Sequence, residues 1–258
     1  MAAESPLKPF YSVLVLAFVC SALVAGAAVG LKPFQDANRT LDRQKHILYA
    51  AGLYEEGKSL QEMFAPIETK VIELATGDFV SPDTIDPASY NQLKATLDDD
   101  LSHQLSPDSD IARLRRLEKY SLAYLVMDQG KISQYVLPVR GKGLWSTMFA
   151  FVALDADLTT IRGISFYEHG ETPGLGGEVD NPRWQSGWHE KKVYDDNGDL
   201  QISVVKGKAA GDYQIDGLSG ATLTTKGVSN LMRFWFGEHG FEPFIDKMRT
   251  EKQRGTNG

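Results

Sequence analysis

Residues 11–31, YSVLVLAFVCSALVAGAAVGL, run without a single charged side chain. Coiled as a helix at about 1.5 Å per residue, they reach roughly 30 Å, the thickness of a bilayer's hydrocarbon core. Ala25-Gly26-Ala27 has the small-residue character of a leader cleavage site. The run is longer than a typical leader core, however, and a helix-prone segment follows it directly. It therefore reads as a retained membrane anchor. Ala22, Gly26 and Gly30 recur every four residues, a spacing that suits close packing against another membrane helix. The lone cysteine, Cys20, lies inside this run. That excludes an intramolecular disulfide, a cysteine-ligated iron–sulfur cluster and a cysteine-rich zinc site.

The 258 residues are enough for one large domain or two small ones with a real core. With 42% hydrophobic and 24% charged residues the remainder is globular. A formal net charge of −7 argues against a nucleic-acid partner. Lys8, the N-terminal amine and Glu4 precede the anchor, and Lys32, Arg39, Arg43 and Lys45 follow it. Taken alone, that bias places the large domain in the cytoplasm.

Residues 37–53, ANRTLDRQKHILYAAGL, carry Leu41, Ile47, Leu48 and Ala51 at helical spacing and predict a helix ending near Gly52. From Ser81 to Asp110 the chain is acidic and turn-rich. Asp98-Asp99-Asp100 lacks the alternating ligands and glycine of a calcium loop and reads as a solvated face. Two β-rich runs flank Asp128-Gln129-Gly130-Lys131, a hairpin pattern; MFAFVAL, ISFY and QISVVKG continue the strands. Val228, Leu231, Met232 and Trp235 then share one helical face, with Gly237 or Gly240 as its stop and a last short helix at EPFIDKMRT. The expected fold is α+β, a largely antiparallel sheet with flanking helices behind one N-terminal transmembrane helix. The expected divisions are a tail at 1–10, the anchor at 11–31, a juxtamembrane helix with an acidic loop-rich region at 32–110, a ligand-binding domain at 111–250 and a tail at 251–258.

Three glycine-rich polar segments stand out: RGKGLW at Arg140–Trp145, EHGETPGLGGE at Glu168–Glu178, and DGLSGATLTTKG at Asp216–Gly227. Gly217-Leu218-Ser219 starts like a hydrolase elbow, but the second glycine would fall on Ala221. His169-Gly170-Glu171 matches a deaminase triplet without the downstream cysteine pair. His169 and His189 lack a clear third metal ligand, and neither a Rossmann nor a P-loop pattern occurs. No catalytic residue and no metal site is assigned. The threonine cluster has two readings. Thr222, Thr224 or Thr225 could cap a helix N-terminus, or that same N-terminus could hold an anion, with Lys226 adding positive charge and Gly217 and Gly220 allowing close approach.

The segment DGLSGAT resembles the signature Asp-x-x-(Ser/Thr)-Gly-Ala-Thr, on which a flavin transferase esterifies the last threonine with the phosphate of FMN. ETPGLG and GKGLW resemble the FMN-cradling loops of the same domain. The match extends to the membrane span and to FGEHGFEPFIDKMR, nearly the whole chain. It is nearest to the C-subunit family of sodium-translocating NADH:quinone oxidoreductases. The Rnf-complex flavin subunit shares the motif but is usually shorter between anchor and flavin domain, so Gly57–Asp110 favours the former. The resemblance implies covalent FMN on Thr222, with Asp216, Ser219, Gly220 and Ala221 before it and Leu223, Thr224, Thr225 and Lys226 after it. Local physics does not choose Thr222 over Thr224 or Thr225; the signature does.

The resemblance further implies that Thr172, Leu175 and Gly176 approach the flavin and that Leu144 and Trp145 cover part of it, although Trp145 is equally suited to a core. Glu171 is expected to accept a hydrogen bond from the cofactor. The implied role is electron relay from an intramembrane iron–sulfur centre to a second FMN on the B subunit. The implied partners are the A, B, D, E and F subunits, the flavin transferase and membrane lipid. The family's topology puts the domain in the periplasm, against the charge bias. The family is followed because the bias rests on a few residues. A cofactor-free membrane-anchored binding module and a released periplasmic flavoprotein are the other readings.

Overall fold

The computed structural model describes residues 7–256. Of the two expected tails, residues 1–6 and 257–258 lie outside the described residues, as do Glu4 and the N-terminal amine of the charge count. Leu7–Phe10 already belong to helix α1, Leu7–Ala51, and residues 251–256 belong to the last helix. The chain divides after Arg43 into two compact units.

The first unit is helical and continues through Pro33. Its most apolar 18-residue window has a mean hydropathy of 2.5 and none of it is buried, and α1 is the one helix among the described residues long and apolar enough to cross a membrane.

The second unit is built on one six-stranded sheet in the order β2-β1-β5-β6-β7-β8, with every pairing antiparallel. Its strands are β1 (Ile67–Glu73), β2 (Phe79–Val80), β5 (Tyr120–Asp128), β6 (Lys131–Lys142), β7 (Thr147–Asp155) and β8 (Ile161–Glu168). Short pieces fill the links: α2 (Leu60–Phe64), α3 (Gln92–Ala95), the pair β3 (Ser102–Gln104) and β4 (Arg116–Glu118), α4 (Pro182–Ser186), and the pair β9 (Ser203–Val204) and β10 (Gln214–Ile215). Two helices close the chain, α5 (Thr222–Trp235) and α6 (Glu242–Thr256).

The β5–β6 hairpin turns at Gln129 and Gly130, with φ of +48° and +77°. Two successive left-handed residues make the turn whose twist matches the flanking strands. Along β7 the two faces alternate. Met148, Ala150, Val152 and Leu154 join the core under α5 and α6, while Phe151 and Ala153 join a second core with Ile47, Leu48, Ala50 and Ala51 of the last turns of α1. Both faces are covered, which is why MFAFVAL reads as a continuous apolar run rather than an alternating one.

Two expectations shift. The stretch expected to hold only a juxtamembrane helix and acidic loops contains β1, which pairs with β5 from Ile67↔Val126 to Glu73↔Tyr120. In that acidic stretch Asp99 is ion-paired to Arg116 at 2.6 Å. The late strand of QISVVKG is present only as β9, in a parallel pair with β10 outside the main sheet. It cannot extend the sheet at Ile161, because the Ile161 N–H donates to the Lys191 carbonyl at 2.7 Å and its carbonyl accepts from Glu190 at 3.0 Å.

Helix α5 lies close over the end of β6. A methyl group on Gly227 would stand 2.6 Å from the Lys142 carbonyl oxygen, so only glycine permits this approach. The Trp235 indole N–H donates to the Arg140 carbonyl at 2.7 Å, and the Arg140 guanidinium is buried against Glu118, with Nη1 to Oε1 at 2.6 Å. The strand end that launches the loop at 143–146 is therefore fixed to the C-terminal half of α5.

Candidate functional site

Three loop segments meet at the first turn of α5. The β6–β7 loop closes on itself, Gly143 N donating to Ser146 O at 2.8 Å. The segment after β8 makes a tight turn in which Leu175 N and Gly177 N both donate to Thr172 O, at 3.1 and 2.9 Å, and a 3₁₀ turn follows over Gly176–Asp180. The third segment, Asp216–Ala221, enters α5.

Glu171 joins them. Its residue is 5% exposed. Its carboxylate accepts from Leu144 N at 3.2 Å, Trp145 N at 2.9 Å, Ser146 N at 3.2 Å and the Thr224 hydroxyl at 2.6 Å. Burial opposes its ionisation, yet the Thr224 hydroxyl and the three backbone N–H groups outweigh burial and hold the carboxyl below its ordinary range. A methyl group on Gly176 would lie 2.5 Å from Thr224 Oγ1 and 2.8 Å from Glu171 Oε2, so the clamp closes only around glycine. Glu171, expected to accept from a cofactor, here accepts from the protein itself. Its oxygens are taken up by the protein, and it acts on the site by positioning the loop.

The threonines divide. Thr225 is buried and its hydroxyl oxygen accepts from Leu218 N at 3.0 Å. Thr224 is fully buried and donates to Glu171. Thr222 is exposed as the first residue of α5, and among the described residues nothing hydrogen-bonds its hydroxyl. The capping reading is also corrected. The N-cap position is Ala221, with no side-chain cap, so the first N–H groups of α5 are not closed by any threonine.

Most of the remaining sequence-selected residues lie on the three segments that meet here. Leu144, Trp145, Leu175 and Leu223 are 43%, 65%, 45% and 59% exposed. Trp145 is therefore no core aromatic. Gly220, at φ +72°, turns the chain under Leu175, whose Cδ2 would be 3.0 Å from an added methyl. Thr172, Ser219 and Lys226 are exposed. Asp216 stands apart from the clamp: its Oδ1 accepts from Ala209 N at 2.6 Å and its carbonyl accepts from the Trp184 indole at 2.8 Å. His169 is bonded to Asp180 at 2.6 Å and accepts from Glu171 N at 3.1 Å, while His189 is bonded to the Arg162 carbonyl at 2.9 Å.

Two further participants are not singled out by the sequence. Ser146 accepts from Gly170 N at 2.6 Å and so joins two loops; it directly follows GKGLW and was within reach of that motif. Trp184 carries no local signal, because its partner lies 32 residues away.

An uncapped helix N-terminus bearing a free hydroxyl, on loops that carry exposed apolar side chains, can hold a phosphate at one end of a ligand and a flat apolar ring at the other. These features suit a nucleotide-binding domain, and residues 143–237 match the family described as FMN-binding domain. That span encloses all three converging segments. The chain is 49% identical over 95% of its length, and 97% of the relative's, to the C subunit of the Na(+)-translocating NADH-quinone reductase of Pseudomonas aeruginosa. It is 47% identical to the protein of the same name from Yersinia pestis, over 94% and 92%. The crystal structure of NqrC from Shewanella oneidensis superposes with a TM-score of 0.75 at 35% identity, covering 81% of this chain and 97% of that one. The chain belongs to the NqrC family, the C subunits of Na(+)-translocating NADH-quinone reductases.

Proposed function

We propose that this chain holds FMN through a phosphoester to Thr222 Oγ1 and serves as an electron-carrying subunit of a Na(+)-translocating NADH:quinone oxidoreductase. The observation that carries this reading is the division of the threonines: two are buried and bonded, and one is exposed with a free hydroxyl. Forming the ester joins FMN to the chain with net loss of water and leaves the isoalloxazine ring unaltered. Bound there, the flavin would supply electron relay between an intramembrane iron–sulfur centre of other subunits and a second FMN on the B subunit.

The protein's own groups do the rest. The open N–H groups of the first turn of α5 and the positive end of its dipole favour the phosphodiester, with Lys226 nearby in sequence adding charge. Leu144, Trp145, Leu175 and Leu223 offer an apolar surface to the ring and would lose their exposure to water beneath it. Glu171, spent on backbone donors and Thr224, keeps that surface in one shape. The apolar part of α1 anchors the chain in the inner membrane beside the A, B, D, E and F subunits, with the flavin domain on the periplasmic side, where a flavin transferase matures it. A covalent tether matters most where free FMN is scarce.

The test is intact-mass analysis and peptide mapping of the chain produced with a flavin transferase. An FMN adduct, less water, on the peptide containing Thr222 is expected. An unmodified chain, or an adduct on Thr224 or Thr225, would overturn the assignment.

A further inference from the structure

A separate hollow of about 700 Å³ lies beside the β6–β7 loop, lined by Asp110, Arg113, Leu114, Arg115, Lys142 and Thr147 among others. Three of these are cations, in a chain whose net charge is −7. The one carboxylate does not neutralise them. Asp110 Oδ1 accepts from Leu114 N and Oδ2 from Arg115 N, both at 2.7 Å, so both its oxygens are committed to backbone. Among the described residues no ion pair engages Arg113, Arg115 or Lys142, and the Lys142 ammonium donates to the Trp145 carbonyl at 2.9 Å with two protons left over.

The segment is held in place rather than loosely draped. Leu105 N donates to Arg115 O at 3.0 Å, and Lys142 N to Ala112 O at 2.9 Å. Arg113 and Arg115 both have left-handed backbones, with φ of +56° and +68°. Glycine or asparagine would fit those positions with less strain. Two guanidinium forks and an ammonium around a concavity of ligand-site size offer the planar, charge-assisted donors that a phosphate group accepts.

We propose that this pocket binds a phosphate-bearing anion, either free or as a lipid headgroup, through Arg113, Arg115 and Lys142. None of its residues bonds to Glu171, although the Lys142 ammonium touches the Trp145 carbonyl of the loop that the clamp holds.

The probe is inorganic pyrophosphate, titrated calorimetrically into the full chain in phosphatidylcholine nanodiscs. Saturable one-to-one binding is expected, weakened at least ~10-fold in the double variant Arg113→Gly/Arg115→Gly, as loss of charge-assisted bonds dictates. Glycine relieves the left-handed strain, so the variant's Tm should equal or exceed that of the parent. Adding phosphatidylglycerol to the nanodiscs separates the sources. A raised apparent Kd for pyrophosphate supports a headgroup occupant, and an unchanged one supports a free phosphate. Equal affinity in parent and variant, or no saturable binding in either lipid, overturns the proposal.

Discussion

The first turn of α5 leaves Leu223 59% exposed and begins at an alanine with no capping side chain, whereas its later turns bury Val228, Leu231, Met232 and Trp235 completely. One helix thus has an end secured by packing and an end left open. The fully buried half stabilises the element, with each large apolar side chain contributing about 1.5–3 kcal/mol. The N-terminal end can then forgo a cap worth about 1 kcal/mol and present the Thr222 hydroxyl outward. Site and scaffold are kept apart along a single helix, and substitutions at the two ends should behave differently.

The largest expected effect is Thr222→Leu, which should abolish the covalent flavin adduct in intact-mass spectra. The domain's own stability should move by less than about 0.5 kcal/mol, as befits an exposed residue without partners. At the packed end, Trp235→Ala should cost about 3–5 kcal/mol in urea unfolding, through the cavity and the lost bond to the Arg140 carbonyl. If the two results were exchanged, the separation of roles along α5 would be wrong.

Glu171→Gln comes next, at about 1–3 kcal/mol, because donors that met a carboxylate would face a neutral amide. It should also speed amide exchange at Leu144, Trp145 and Ser146. The pH dependence has a defined sign. The folded carboxyl titrates below its unfolded value of about 4.3, so its contribution is present above that pH and is lost as pH falls through the depressed folded value. Unfolding curves at decreasing pH should therefore converge for the parent and the glutamine variant. The smallest effect is Leu223→Ser, which should leave the unmodified domain within about 0.5 kcal/mol of the parent.

The parts of this molecule legible in the sequence are those whose cause is local. The anchor shows as a charge-free run, the hairpin as two turn residues between β-rich stretches, and α5 as apolar residues three and four apart. The three glycine-rich segments are visible as candidates, and a resemblance groups them. What joins them is not legible. Glu171 meets its partners 25 to 27 residues earlier and 53 residues later, and a carboxylate in a polar loop gives no hint of which donors it will collect. The separate fates of Thr222, Thr224 and Thr225 follow from which face of α5 meets Glu171 and Leu218, a tertiary fact. Strand β1 is hidden for a related reason: Glu68, Lys70 and Glu73, set among its buried residues, resemble loop until β5 is laid beside them.

The clamp at Glu171 has a consequence for timing. Its donors come from the β6–β7 loop and from a helix near the finish of the chain, so the clamp does not close until that late helix has been made and docked. Under the proposed function, a modifying enzyme that reads this closed contour would meet it only on completed molecules. On that same reading, tagging would double as quality control, leaving misfolded copies without a flavin.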